Sequence, residues 1–113
     1  MGDFDGKTVI VTGGALGIGE AGSIAFAREG ANVVVMDINQ DAGDAVVARM
    51  SELAGTGLFV NADAGTSEGC RAAVDAAVSE FGGVDIVFNN VGIQPPSSYL
   101  DSHILLPTQR KHS

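Results

Sequence analysis

Lysine, cysteine and the large aromatics are scarce in this chain, and each scarcity removes a class of protein. The 113 residues hold one cysteine, one tyrosine and no tryptophan. A single cysteine forbids an intrachain disulfide, so the composition suits a reducing, cytoplasmic compartment. That residue, Cys70, falls on a predicted helix and reads as a small apolar side chain, not a nucleophile. Six Lys and Arg stand against 14 Asp and Glu, a net charge of −8. So few cations cannot neutralise a run of phosphates, which excludes nucleic acid as a partner. No stretch approaches the roughly 18 apolar residues of a membrane span, so no membrane partner is expected. The opening Met1-Gly2-Asp3-Phe4-Asp5-Gly6 is acidic and leads into no long apolar run, unlike a secretory signal. Gly6 stands where a myristoylation signal needs Ser or Thr.

Glycine, in contrast, is abundant, with 16 residues clustered at expected turns. Apolar residues make up 45% and charged ones 18%, a globular balance. The length fits one domain, able to bury roughly 65% of the surface its unfolded chain exposes. Thr8-Val9-Ile10-Val11-Thr12 is a short β-branched run suited to a strand buried on both faces. A helical pattern follows from about Gly17 to Glu29, with Ile18, Ala21, Ala25 and Phe26 able to share a face and Gly30 at the C-terminal cap. Ala31 to Asp37 repeats the apolar run. Residues 40–54 read as a second helix striped by Val46, Val47, Met50 and Leu53, broken by Gly55-Thr56-Gly57. Leu58-Phe59-Val60 is a third strand leading to Asp63. Thr66 or Ser67 caps a third helix that runs to Phe81, with Ala73, Val74, Ala77 and Val78 inward. Gly82-Gly83 ends it, and Val84 to Phe88 makes the fourth strand. Such alternation predicts an α/β fold, a Rossmann-like doubly wound parallel sheet of about four strands and three helices.

The segment Thr12-Gly13-Gly14-Ala15-Leu16-Gly17-Ile18-Gly19 joins the first strand to the first helix. A pyrophosphate needs backbone amides with no β-carbon in the way and the positive end of a helix dipole. Gly13, Gly17 and Gly19 permit a tight turn, close approach and tight packing of helix on strand. Glycine-rich turns also join strands to helices in proteins that bind nothing, so the motif needs support. Asp37 supplies it, ending the second strand 18 residues beyond Gly19. That is close to the spacing at which a carboxylate hydrogen-bonds the adenosine ribose. Taken alone, Asp37 also fits a cap on the second helix. Its charge would repel a 2′-phosphate, and neither Leu16 nor Ile38 offers a cation to hold one. NAD is therefore expected over NADP.

The Gly-x-x-x-Gly-x-Gly spacing differs from the common Gly-x-Gly-x-x-Gly form and resembles the short-chain dehydrogenase/reductase family. Two more stations match, Asp63-Ala64 after the third strand and Asn89-Asn90-Val91-Gly92 after the fourth. The resemblance covers residues 4 to about 99 and implies the strand order 3-2-1-4. It also implies that Asp63 and Ala64 lie by the adenine and Asn90 beside the nicotinamide ribose. The cofactor contacts it suggests are Gly13, Gly17, Ile18, Gly19, Asp37, Ile38, Asp63, Ala64 and Asn90. Val91 replaces the family's Ala. Considered without the family, Asn89 and Asn90 also suit simple turn chemistry.

Family members run to about twice this length and use a Tyr, a Lys four residues later, a Ser and an Asn for chemistry. Here the one tyrosine, Tyr99, is followed four residues on by His103, and no catalytic residue is assigned. Residues 1–93 are expected to form the dinucleotide-binding domain and 94–113 an irregular tail. The tail's charge balance shifts, with 4 basic and 13 acidic side chains over residues 1–99 against 2 and 1 afterwards. The expected function is the NAD(H)-binding portion of an oxidoreductase that moves hydride between the cofactor and an alcohol or ketone. A non-enzymatic module that binds itself or full-length relatives is the alternative, and completion in trans by a chain bearing the Tyr and Lys is a third. With the fourth strand as an edge and one helix on one sheet face, a homo-oligomer through that edge or face is also expected.

Overall fold

The computed structural model describes residues 3–90; Val91 and Gly92, and residues 94–113 with Tyr99 and His103, lie outside the described residues. Four strands, β1 (Thr8–Thr12), β2 (Asn32–Asp37), β3 (Thr56–Asn61) and β4 (Ile86–Asn89), alternate with α1 (Gly17–Arg28), α2 (Gln40–Met50) and α3 (Ser67–Phe81). All the pairings are parallel, and the sheet order is β3-β2-β1-β4. The β-branched runs take the centre because a strand between two neighbours has no wet face. Every residue of β1 is buried, whereas β3 and β4, at the two edges, are only partly covered.

Period-two alternation divides the core. Val9, Val11, Val33 and Val35 point to one face, with Ile24 and Ala27 of α1 and Val46 and Met50 of α2. Ile10, Val34 and Met36 point to the other, with Ala73 and Ala77 of α3 and Val84. Two helices therefore cover one face and one covers the other. Among the described residues β4 has β1 as its one neighbour.

Several boundaries and faces differ from the sequence reading. On α1 the buried positions are Gly19, Ser23, Ile24 and Ala27, while Ile18 is 73% exposed and Ala21 and Ala25 face solvent. Small residues win that face because they let the helix sit close on the sheet: Ser23 Oγ lies 2.9 Å from the Gly19 carbonyl oxygen and 3.2 Å from that of Gly14. Val78 on α3 is half exposed, because the close seam of that helix is Gly69, Ala73 and Ala77. Helix α2 stops at Met50, and β3 begins at Thr56, inside the expected break. Gly57 suits a strand there, since a β-carbon would come within 2.8 Å of Met50 Cε. Strand β4 starts at Ile86, two residues after Val84. The Val84 side chain is in the core, but pairing starts only after Asp85, whose N–H donates to the Thr8 carbonyl and whose carboxylate accepts the Thr8 N–H, both at 2.9 Å.

Candidate functional site

A parallel sheet puts every strand's carboxyl end on one rim, and the candidate residues follow it in the order of the strands. Asp63 comes after β3, Asp37 ends β2, the 13–19 turn follows β1, and Asn90 follows β4. This is the rim, at the point where strand order reverses, on which open α/β sheets bind ligands.

The turn after β1 is held from beneath. The N–H groups of Gly13 and Gly14 both donate to the Met36 carbonyl, at 2.8 and 3.2 Å. Gly13 and Gly17 have φ of 62° and 59°, the left-handed region that side chains avoid. Gly19 is needed for a different reason, since a β-carbon on it would stand 1.9 Å from the Gly13 carbonyl oxygen and 2.7 Å from Asn90 Nδ2. Helix, turn and fourth strand meet there with no room for a methyl group.

The helix that starts at this turn is uncapped. Leu16, its N-cap, has the extended backbone of a capping residue (φ −138°, ψ 153°) but makes no side-chain bond to the helix. Among the described residues no hydrogen bond is made by the N–H groups of Gly17, Ile18 and Gly19. By contrast Asn39 caps α2 through the Ala42 N–H at 3.0 Å, and Thr66 caps α3 through the Gly69 N–H at 2.9 Å. Leu16 and Ile18 at the open helix end, and Ile38 next to Asp37, are large apolar residues that are 56%, 73% and 69% exposed.

Asp37 is brought to the turn. One carboxylate oxygen accepts the Ala15 N–H and the other the Asn39 N–H, both at 3.1 Å. It is not the helix cap; Asn39 takes that place. Asp63 is exposed, and its carboxylate accepts the Gly65 N–H at 2.8 Å. Its neighbour Ala64 offers its carbonyl to the Cys70 thiol at 3.5 Å. The Ala62 N–H bonds the Asp37 carbonyl at 3.1 Å, which holds this segment beside β2.

Asn90 closes the other side. Its side-chain amide donates to the Gly13 carbonyl at 3.3 Å, and its backbone N–H donates to Thr12 Oγ1 at 2.8 Å. The Thr12 hydroxyl in turn lies 3.0 Å from Asn89 Oδ1. Thr12 is thus the knot between β1 and β4, a role the sequence reading left unassigned. The signal was present: a hydroxyl residue ends an otherwise apolar strand directly before the glycines. Among the described residues no group of three or more His, Cys, Asp or Glu is placed to hold a metal, and no helix is long and apolar enough to cross a membrane.

A parallel β3-β2-β1-β4 sheet with helices on both faces and a glycine-lined helix end at its reversal point defines a Rossmann-like, doubly wound protein. The chain belongs to the short chain dehydrogenase family, whose pattern it matches over residues 7–104. It is 44% identical over 93 residues to a 2,5-dichloro-2,5-cyclohexadiene-1,4-diol dehydrogenase of Sphingobium indicum, covering 82% of this chain and 36% of that one. L-sorbose reductase from Gluconobacter frateurii, solved with NADPH and L-sorbose, superposes with a TM-score of 0.80 at 26% identity, covering 98% of this chain and 50% of that one. A 7α-hydroxysteroid dehydrogenase solved with NADH and 7-oxo glycochenodeoxycholic acid gives 0.71 at 42% identity, covering 74% and 33%. The chain therefore spans half or less of the length of these relatives.

Proposed function

We propose that this chain holds NAD(H) across the rim as the cofactor-binding part of an oxidoreductase. The observation that carries the reading is the open amino end of α1, with three unpartnered amides, beside the Asp37 carboxylate. Those amides and the helix dipole suit the diphosphate. Each Asp37 oxygen accepts one backbone N–H and keeps a lone pair for a ribose hydroxyl. Asp63 and Ala64, one strand further out, suit the adenine, and Asn90, on the opposite side of the turn, suits the nicotinamide riboside. Ile18 and Ile38 give the rings and sugars an apolar rim.

Relatives have been solved with NADPH and with NADH, so the family leaves the choice open. The local charge favours NAD(H). A 2′-phosphate on the adenosine ribose would meet the Asp37 carboxylate, and the adjoining Leu16 and Ile38 carry no charge to offset it. Arg49 is paired with Glu20 of α1, whose carboxylate offsets its charge.

When bound, the nicotinamide supplies the hydride chemistry, in keeping with an alcohol or ketone as the reacting partner. The residues of this stretch bind and orient; the sequence contains no Tyr-x-x-x-Lys to move the substrate proton. A chain with one thiol and an acidic surface fits a cytoplasmic setting.

Calorimetric titration with NADH and NADPH tests the proposal. The wild-type chain is expected to prefer NADH, and Asp37→Ala to narrow the gap between the two affinities by about tenfold, the worth of one lost charge contact. An unchanged ratio refutes the role given to Asp37.

A further inference from the structure

Helix α1 carries a glycine that neither the turn nor the cap requires. Gly22 lies in the second turn of the helix, where glycine is less favourable than alanine. Its surroundings give the reason. A β-carbon there would stand 2.5 Å from Cε2 and 3.0 Å from Cδ2 of Phe88. The Phe88 ring occupies the notch and meets Phe26, one turn along α1, edge to face with centroids 6.0 Å apart; Phe26 meets Phe4 in the same way at 5.2 Å.

The notch belongs to a register between helix and strand. Gly19 and Gly22 are three apart and share a face of α1. Phe88 and Asn90 are two apart and share a face of β4 and its continuation. A β-carbon on Gly22 would meet the Phe88 ring, and one on Gly19 would meet the Gly13 carbonyl oxygen at 1.9 Å and Asn90 Nδ2 at 2.7 Å. Phe88 thus fills one missing β-carbon's place on α1, and Asn90, together with the Gly13 carbonyl, closes over the other.

We infer that the Gly22–Phe88 pair is a positioning device that sets the height of Asn89 and Asn90 against the glycine turn, and so tunes affinity for the nicotinamide riboside half of the cofactor separately from the adenosine half. The inference deepens the proposed NAD(H) site and rests on it. Phe88 reaches the site only through its neighbours. Its backbone precedes Asn89, which meets the Thr12 hydroxyl, and Asn90, which bonds Gly13. Asp37 ends β2 and Asp63 follows β3, across β1 from the strand that carries Phe88. A shift of the ring therefore moves one side of the rim and leaves the other in place.

Gly22→Ala is the variant of choice, because alanine favours the helix while its methyl group displaces the ring. NADH affinity is expected to fall about tenfold and ADP-ribose affinity to change by less than about twofold. Adding Phe88→Val, which removes the colliding ring atoms, should return NADH to within about threefold of wild type. In the cofactor-free protein, the Asn90 side-chain amide NMR signals should move in Gly22→Ala and move back in the double variant. An equal loss for NADH and ADP-ribose, unchanged affinity for both, or Asn90 signals that stay put in Gly22→Ala would each overturn the inference. Should the wild-type chain bind neither ligand, the cofactor reading fails, and with it the tuning of affinity.

Discussion

Three helices begin at the same rim of the same sheet, yet their first turns are finished in two different ways. At α2 and α3 the chain satisfies itself: Asn39 and Thr66 each accept the N–H of the residue three further on. At α1 the N-cap backbone adopts nearly the same extended angles as Thr66, but the side chain is leucine and accepts nothing. The contrast separates a helix end that serves the fold from one left open to the outside. A cap is worth about 1 kcal/mol, so α1 forgoes stability at the position where strand order reverses. Gly19 forgoes helix propensity as well, to keep a side chain out of the way, while Gly13 and Gly17 hold the left-handed backbone of the turn.

That comparison can be broken most severely at Gly19. A Gly19→Val side chain has no space between the Gly13 carbonyl and Asn90, so the protein should lose about 3 kcal/mol in urea denaturation, together with all measurable NADH binding. Wild-type stability in that variant would mean that α1 does not sit so close to the turn. A subtler change is Leu16→Ser, which gives α1 the cap it lacks. The backbone is already in place for the serine oxygen to take the Gly19 N–H. Thermal stability should rise by about 1 kcal/mol while NADH affinity drops about fivefold, since ligand and side chain compete for one amide. A rise in stability with no fall in affinity would remove this helix end from the site. The smallest effect on binding is expected from Thr66→Ala, which uncaps α3. It should cost about 1 kcal/mol of stability and leave NADH affinity within error, because the α3 end is engaged with its own chain. If it instead matched Leu16→Ser in its effect on affinity, the two ends would not differ in kind.

Much of this arrangement is legible in the residues. The β-branched runs at 8–12 and 33–35 mark central strands, and the glycines at 13, 17 and 19 mark a turn that approaches something closely. Asp37, Asp63 and Asn90 stand at strand ends wherever the boundaries are drawn. The faces of the helices were harder. Ile18, Ala21 and Ala25 suggest an inward stripe by their apolar character, but the buried side of α1 is Gly19, Ser23, Ile24 and Ala27. Hydrophobicity ranks residues by their dislike of water, whereas a helix laid closely on a sheet selects first for smallness. The same competition turned Val78 outward on α3, where Gly69, Ala73 and Ala77 form the seam.

The sequence alone determined the kinds of element, their alternation and the open glycine turn, because period, propensity and turn chemistry act between residues a few positions apart. Only the tertiary structure decided that Ala15 donates to Asp37, 22 residues away, that Thr12 ties Asn89 and Asn90, 77 and 78 residues away, and that Phe88 fills the place of a missing β-carbon on Gly22. Those contacts depend on where parallel crossovers return the chain, and no local pattern encodes a distance across a sheet.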